Sequence, residues 1–123
     1  MSDFIAEKKK ILCVEDDQDT CELLVFLLSD YHLVFTESVE RTLEVFRNEN
    51  FDLCLLDNWL SDGKGTDLCR QIRAVNPSIP VVFASGAAEK EQIEKALEAG
   101  AQAYLVKPYS LEELQKVVKE LIK

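Results

Sequence analysis

The sequence predicts an α/β fold built on a doubly wound parallel sheet, and three observations carry that prediction. Four short runs, Ile11 to Val14, Leu53 to Leu56, Val81 to Ala84 and Ala103 to Val106, are almost continuously apolar, as strands covered on both faces must be. Segments with helical spacing separate them. Polar residues able to do chemistry follow the runs directly, at Glu15-Asp16-Asp17, Asp57, Ser85-Gly86 and Lys107-Pro108.

The elements follow in order. After the first strand, Cys21, Leu24, Val25 and Leu28 form one helical stripe. Leu33 to Phe35 is a shorter, weaker run that suits an edge strand. Val39, Leu43 and Phe46 form the second stripe, Leu68, Ile72 and Val75 the third, and Ile93, Ala96 and Leu97 the fourth. Gly100 stands where that fourth helix should end in a left-handed residue. The fifth helix is the clearest, with Leu111, Leu114, Val117, Val118, Leu121 and Ile122 on one face, and Ser110 with Glu113 forms a capping box at its start. Five alternating strand–helix units imply helices on both faces of a parallel sheet. The chain is expected to form one domain over residues 1–123, with its core at about 10–123 and residues 1–9 as an N-terminal extension.

Bulk properties narrow the function. With 47% hydrophobic and 30% charged residues, the composition is that of a soluble globular chain. A formal net charge of −9 argues against direct binding of nucleic acid or anionic lipid. Met1 to Lys10 lacks the pattern of a signal peptide, and the longest apolar run, Leu23 to Leu28, is too short to cross a bilayer. Cys13, Cys21, Cys54 and Cys69 form no CxxC pair and read as packing residues of a reduced compartment. A cytoplasmic location is expected.

All carboxyl ends of a parallel sheet lie along one edge, where open α/β folds bind ligands. Four chain-distant groups therefore converge there. Singly, Asp57 reads as a loop-starting residue, Ser85 as a turn residue and Lys107 as a solvated lysine; Asp17 and Asp19 read as helix caps. Jointly they define a site. Glu15, Asp16 and Asp57 repel one another, which raises a carboxyl pKa or recruits a cation. Hard carboxylate oxygens suit Mg2+. A carboxylate can also attack phosphorus to give an aspartyl phosphate, a transfer that needs positioning and charge neutralisation more than acid–base work. Lys107 and Ser85 are placed to neutralise and hydrogen-bond the phosphoryl oxygens.

These residues resemble the receiver domain of two-component response regulators, over essentially the whole chain. Ile11-Leu12-Cys13-Val14-Glu15-Asp16-Asp17 is similar to the family's first strand and acidic pair, Leu55-Leu56-Asp57 to its phospho-acceptor strand, Val82-Phe83-Ala84-Ser85-Gly86 to the strand ending in the switch Ser/Thr, and Tyr104-Leu105-Val106-Lys107-Pro108 to the switch aromatic, lysine and proline. The resemblance implies a flavodoxin-like (βα)5 fold with strand order 2-1-3-4-5 and a cis bond between Lys107 and Pro108. It implies that Asp57 is the phosphoacceptor, and that Mg2+ is held by Asp16, Asp57 and the backbone carbonyl of Trp59, with Glu15 acting through water. It implies a histidine kinase or histidine phosphotransfer protein as phosphodonor and a downstream protein as target. Phosphorylation would draw Ser85 inward and turn Tyr104 from exposed to buried, altering the surface of the fourth helix, fifth strand and fifth helix. Three features depart from the pattern or flank the pocket: Ser61 stands where a proline is common, Trp59 is bulky enough to slow water attack, and Asn58 and Ala87 are close by.

Other readings are weaker. A phosphohydrolase of the haloacid dehalogenase type wants Asp-x-Asp-x-Thr directly after the first strand, and Asp17-Gln18-Asp19-Thr20 misplaces the threonine. A flavin-binding flavodoxin wants a Ser/Thr/Gly-rich loop there, not an acidic one. A receiver-like interaction module that is never phosphorylated is the third alternative. Gly63-Lys64-Gly65-Thr66 fails as a phosphate loop, since Lys64 is followed by glycine rather than Ser or Thr. His32 reads as solvent-facing, and the charges from Glu89 to Glu98 as a solvated helix face. The domain is thus expected to catalyse its own phosphorylation and dephosphorylation while serving as a signalling component.

Overall fold

A computed structural model of the chain describes residues 7–122. The first six residues of the expected N-terminal extension and Lys123 lie outside the described residues. The main elements are β1 (Lys10–Val14), α1 (Gln18–Leu27), β2 (His32–Thr36), α2 (Val39–Asn48) and β3 (Leu53–Leu56), then β4 (Trp59–Leu60), β5 (Gly63–Lys64) and α3 (Gly65–Val75), and last β6 (Val81–Ser85), α4 (Lys90–Glu98), β7 (Ala103–Val106) and α5 (Leu111–Leu121). Five strands form one parallel sheet in the order β2-β1-β3-β6-β7. With β6 and β7 as the fourth and fifth long strands, this is the expected 2-1-3-4-5 order. The weak run around Leu33 to Phe35 is indeed the edge strand.

Alternation along each strand sorts side chains to two faces. Leu12, Val14, Cys54, Leu56, Val81 and Phe83 pack with Phe46 of α2, Leu68 and Ile72 of α3 and Ala96 of α4. Ile11, Cys13, Leu53, Leu55, Val82 and Leu105 pack instead with Leu24 of α1, Leu28 at its C-cap, and Leu114 and Val118 of α5. Two apolar faces explain why the strands carry no polar alternation. Each fully buried Leu, Ile or Val contributes about 1.5–3 kcal/mol, so a polar residue in the central strands would cost more than a turn could return.

Helix ends follow the local signals. Asp17 caps α1 by accepting from the Thr20 amide, and Ser110 and Glu113 form the reciprocal capping box of α5. Gly100 has φ +113°, a left-handed residue just past α4. Arg73 closes the far end of the molecule, donating to the carbonyls of Asn76, Ile79 and Gly100 and to the Gln102 side chain. Cys13, Cys54 and Cys69 are buried and all four cysteines are free, and burial pushes the Cys54 thiol up to about 12. Exposed His32 and the i,i+4 pairs Lys90–Glu94 and Lys95–Glu91 match the solvated readings.

Some stripe residues are corrected. Val25, Val75, Leu97 and Leu111 are exposed and Cys21 is half-buried. Val25 and Leu97 lie one residue, about 100°, round the helix from the contact line. Val75 and Leu111 are the last and first residues of α3 and α5, where the chain leaves the sheet. The short antiparallel pair β4–β5 went unanticipated, because two residues per strand leave no periodicity to read.

Candidate functional site

The site lies at the carboxyl edge of β1, β3, β6 and β7. Each strand delivers its functional residue as hydrophobic pairing ends and the chain turns outward. Parallel pairing sets their relative heights: the Asp57 amide donates to the Val14 carbonyl at 3.1 Å, and the Lys107 amide to the Ser85 carbonyl at 2.8 Å. Asp57 is thereby tied to the end of β1, and Lys107 to the end of β6.

Glu15, Asp16 and Asp57 offer carboxylate oxygens that all lie within 4.8 Å of one another. Glu15 is buried, Asp57 half-buried and Asp16 exposed, so the cluster opens to solvent on one side. The Lys107 ammonium donates to Glu15 Oε1 at 2.9 Å and lies 3.7 Å from Asp57 Oδ2. Burial works against its charge, but the Glu15 hydrogen bond and the charges of Asp57 and Glu15 prevail, holding Lys107 above the usual lysine range. Glu15 Oε2 also receives the Asp17 amide at 3.2 Å. Among the described residues, Lys107 is the cation paired with this cluster of three carboxylates, through Glu15 and Asp57. The unbalanced negative charge, borne on hard oxygen donors, fits a small divalent cation.

Glu15 is only 7% exposed, and the Lys107 ammonium is its charged partner at 2.9 Å. Lys107→Ala is expected to cost the metal-free protein about 2 kcal/mol, because it strands a buried carboxylate. Urea unfolding in the presence of a chelator measures it. An unchanged midpoint would show that water replaces the ammonium without loss.

The remaining predicted residues lie on β6, β7 and β4. Ser85 is fully buried and its hydroxyl accepts from the Ala87 amide at 3.2 Å. Tyr104 is already half-buried, its ring stacked on Phe83 at 5.8 Å between centroids and its hydroxyl donating to the Ala87 carbonyl at 2.6 Å. The exposed starting position expected for Tyr104 is therefore not the one observed. Ser85 and Tyr104 both grip Ala87. Trp59 is 52% exposed, and its amide lies 3.5 Å from Asp57 Oδ1. The Lys107–Pro108 bond is cis.

Sequence reasoning missed Gly65 and Asp62 and named Asn58 only as a flank. Asn58 is 1% exposed, with its amide 3.5 Å from Gln92 Oε1 of α4. A methyl group on Gly65 would meet the Asp57 carbonyl. The Gly-Lys-Gly pattern was the available signal for Gly65. It marks a close backbone approach in the turn into α3, not a phosphate cradle.

Comparison with known proteins agrees with this geometry. Residues 11–119 match the family model of the response regulator receiver domain. The chain is 34% identical over 116 residues to the nisin biosynthesis regulatory protein NisR of Lactococcus lactis subsp. lactis, an alignment covering 93% of this chain and 50% of NisR. It spans about a quarter to a half of the length of the curated relatives it matches. Among solved structures, a two-component response regulator from Clostridium difficile superposes with TM-score 0.88 at 33% identity, covering 93% of this chain and 95% of that one. The receiver domain of sensor histidine kinase PA1611 from Pseudomonas aeruginosa PAO1, which carries a magnesium ion in its active site cleft, superposes with TM-score 0.85 at 26% identity, covering 95% and 98%. With the fold, the acidic cluster and the family match in agreement, the chain belongs to the response regulator receiver domains of two-component signalling.

Proposed function

We propose that this receiver domain is a Mg2+-dependent phosphorylation switch whose acceptor is Asp57. The observation that carries the reading is the convergence of Glu15, Asp16, Asp57 and Lys107 from three strand ends into one cluster open to solvent. A Asp57 carboxylate oxygen attacks the phosphorus of a phosphohistidine on a histidine kinase or phosphotransfer protein. The P–N bond breaks, and the leaving imidazole nitrogen takes up a proton. Bound Mg2+ supplies positive charge for the phosphoryl oxygens. Asp16, Asp57 and the Trp59 carbonyl would hold it. Both Glu15 oxygens are engaged by Lys107 and the Asp17 amide, which suits Glu15 to act through water. Lys107 neutralises a phosphoryl oxygen, and Ser85 exchanges its bond with Ala87 for one to the phosphoryl group.

Release of Ala87 by Ser85 would loosen the contact that also anchors Tyr104, changing the face made by α4, β7 and α5 toward a protein target. This is a two-state element biased by local charge. We assign residues 10–123 as the domain core and 1–9 as an extension. We place the chain in the cytoplasm, in keeping with its four free cysteines. No described helix is long and apolar enough to cross a membrane.

Trp59 is the only tryptophan and reports on the site. Its fluorescence is expected to change saturably with Mg2+ and again on adding beryllofluoride, with a gain of one phosphoryl mass from a small phosphodonor. Absence of all three responses would leave an unphosphorylated interaction module and sink the switch.

A further inference from the structure

The hairpin after the acceptor is too small to hold itself. β4 and β5 pair at only two positions, Trp59 with Lys64 and Leu60 with Gly63, and so short a ribbon is marginal alone. Its two-residue turn is Ser61-Asp62. The self-supporting turns of this length place a positive φ at the first or both central residues, and no described non-glycine residue has one. Something outside the hairpin must fasten it.

Two anchors are present. At the base, the Gly65 amide donates to the Asn58 carbonyl at 2.8 Å. At the tip, Asp62 Oδ1 accepts from the Val39 amide at 2.7 Å and Oδ2 from the Glu40 amide at 3.1 Å. Those amides belong to the first turn of α2, where they have no helical partner, and a carboxylate there also meets the positive helix end. The ordinary cap of the same helix is a different residue: Ser38 Oγ accepts from the Arg41 amide at 3.1 Å. Gly63 adds close packing, since a Cβ on it would lie 3.1 Å from Val39 Cγ2. Asp62 therefore does what Ser38 does not, joining α2 to the loop that carries Trp59.

We infer that Asp62 is a positioning residue for the metal site, fastening the β4–β5 hairpin to α2 so that Trp59, whose amide lies 3.5 Å from Asp57 Oδ1, stays beside the Glu15-Asp16-Asp57 cluster. The inference rests on the Mg2+-dependent reading above. Metal affinity then depends on a residue that need not touch the metal.

The test compares Asp62→Ala, Asp62→Asn and Ser38→Ala in the full chain, all at a temperature well below their melting points. Two readouts are taken: Mg2+ affinity from Trp59 fluorescence, and hydrogen exchange of the Gly65 amide without metal. Asp62→Ala is expected to weaken Mg2+ binding and speed Gly65 exchange by about fivefold, the equivalent of one lost helix cap. Asp62→Asn keeps an acceptor oxygen and should recover part of both. Ser38→Ala loses a cap of the same helix and should melt lower with Mg2+ affinity unchanged. Equal effects of Asp62→Ala and Ser38→Ala on Mg2+ affinity, or none from either, overturn the inference while a responsive wild type leaves the metal reading standing. A wild type silent to Mg2+ overturns both.

Discussion

Asp57→Asn is expected to abolish phosphoryl incorporation and the beryllofluoride response while leaving the fold intact. An amide oxygen is a far poorer nucleophile than a carboxylate oxygen, so mass gain from a small phosphodonor should fall below detection. Mg2+ binding should weaken tenfold or more, about 1.4 kcal/mol, because one of the three clustered charges becomes neutral. Stability should move the other way. The three carboxylates lie within 4.8 Å with one nearby ammonium, so removing a negative charge relieves repulsion. The metal-free variant should melt no lower than wild type, which separates lost chemistry from lost structure. Intact-mass spectrometry after phosphodonor treatment, paired with thermal melts in chelator, checks both halves. Undiminished mass gain in this variant would move the acceptor to another carboxylate, with Asp16 the first to test.

The second large effect concerns the backbone behind Asp57. Gly65→Ala would drive a methyl group into the Asp57 carbonyl oxygen, within 2.9 Å of Phe83 Cε2 and 3.0 Å of Asn58 Cα. Neither the carbonyl nor the Asn58 backbone can swing aside as a flexible side chain would, and Phe83 is fully buried. Overpacking of this kind costs about 1–3 kcal/mol and occasionally more; with backbone as the obstacle we expect about 3 kcal/mol. The damage should reach function too, since relief of the clash shifts Asp57 itself. Gly86→Ala is the matched comparison, beside Ser85 with nothing within 4 Å of the new methyl group, and should change stability by less than about 0.5 kcal/mol. Urea midpoints and phosphorylation rates of the two variants, taken side by side, decide the matter. Equal midpoints would mean that the loop yields freely and the close approach has no consequence.

These expectations draw on different layers of information. Asp57, Lys107, Ser85 and the acidic pair were legible because a parallel sheet puts every strand's carboxyl end on one edge, so that a linear pattern of runs already locates a site. The strands, Gly100 and the capping box of α5 were legible for a related reason: alternation, helical period and backbone handedness act between residues a few positions apart. What the linear pattern does not contain is the choice of partner over long separations. Lys107 bonds Glu15 across 92 positions, and Asp62 reaches α2 across 23 and 22. Nothing near Asp62 in the chain marks it as the fastening of another helix. Nor does anything near Tyr104 place its hydroxyl on the Ala87 carbonyl. The amino-acid sequence by itself determined the architecture and the membership of the acidic site, since both follow from local periods and the topology they impose. Tertiary structure alone decided which carboxylate meets the lysine, which helix the β4–β5 hairpin bonds and where the backbone approaches a glycine closely, because those depend on distances between segments that only packing brings together.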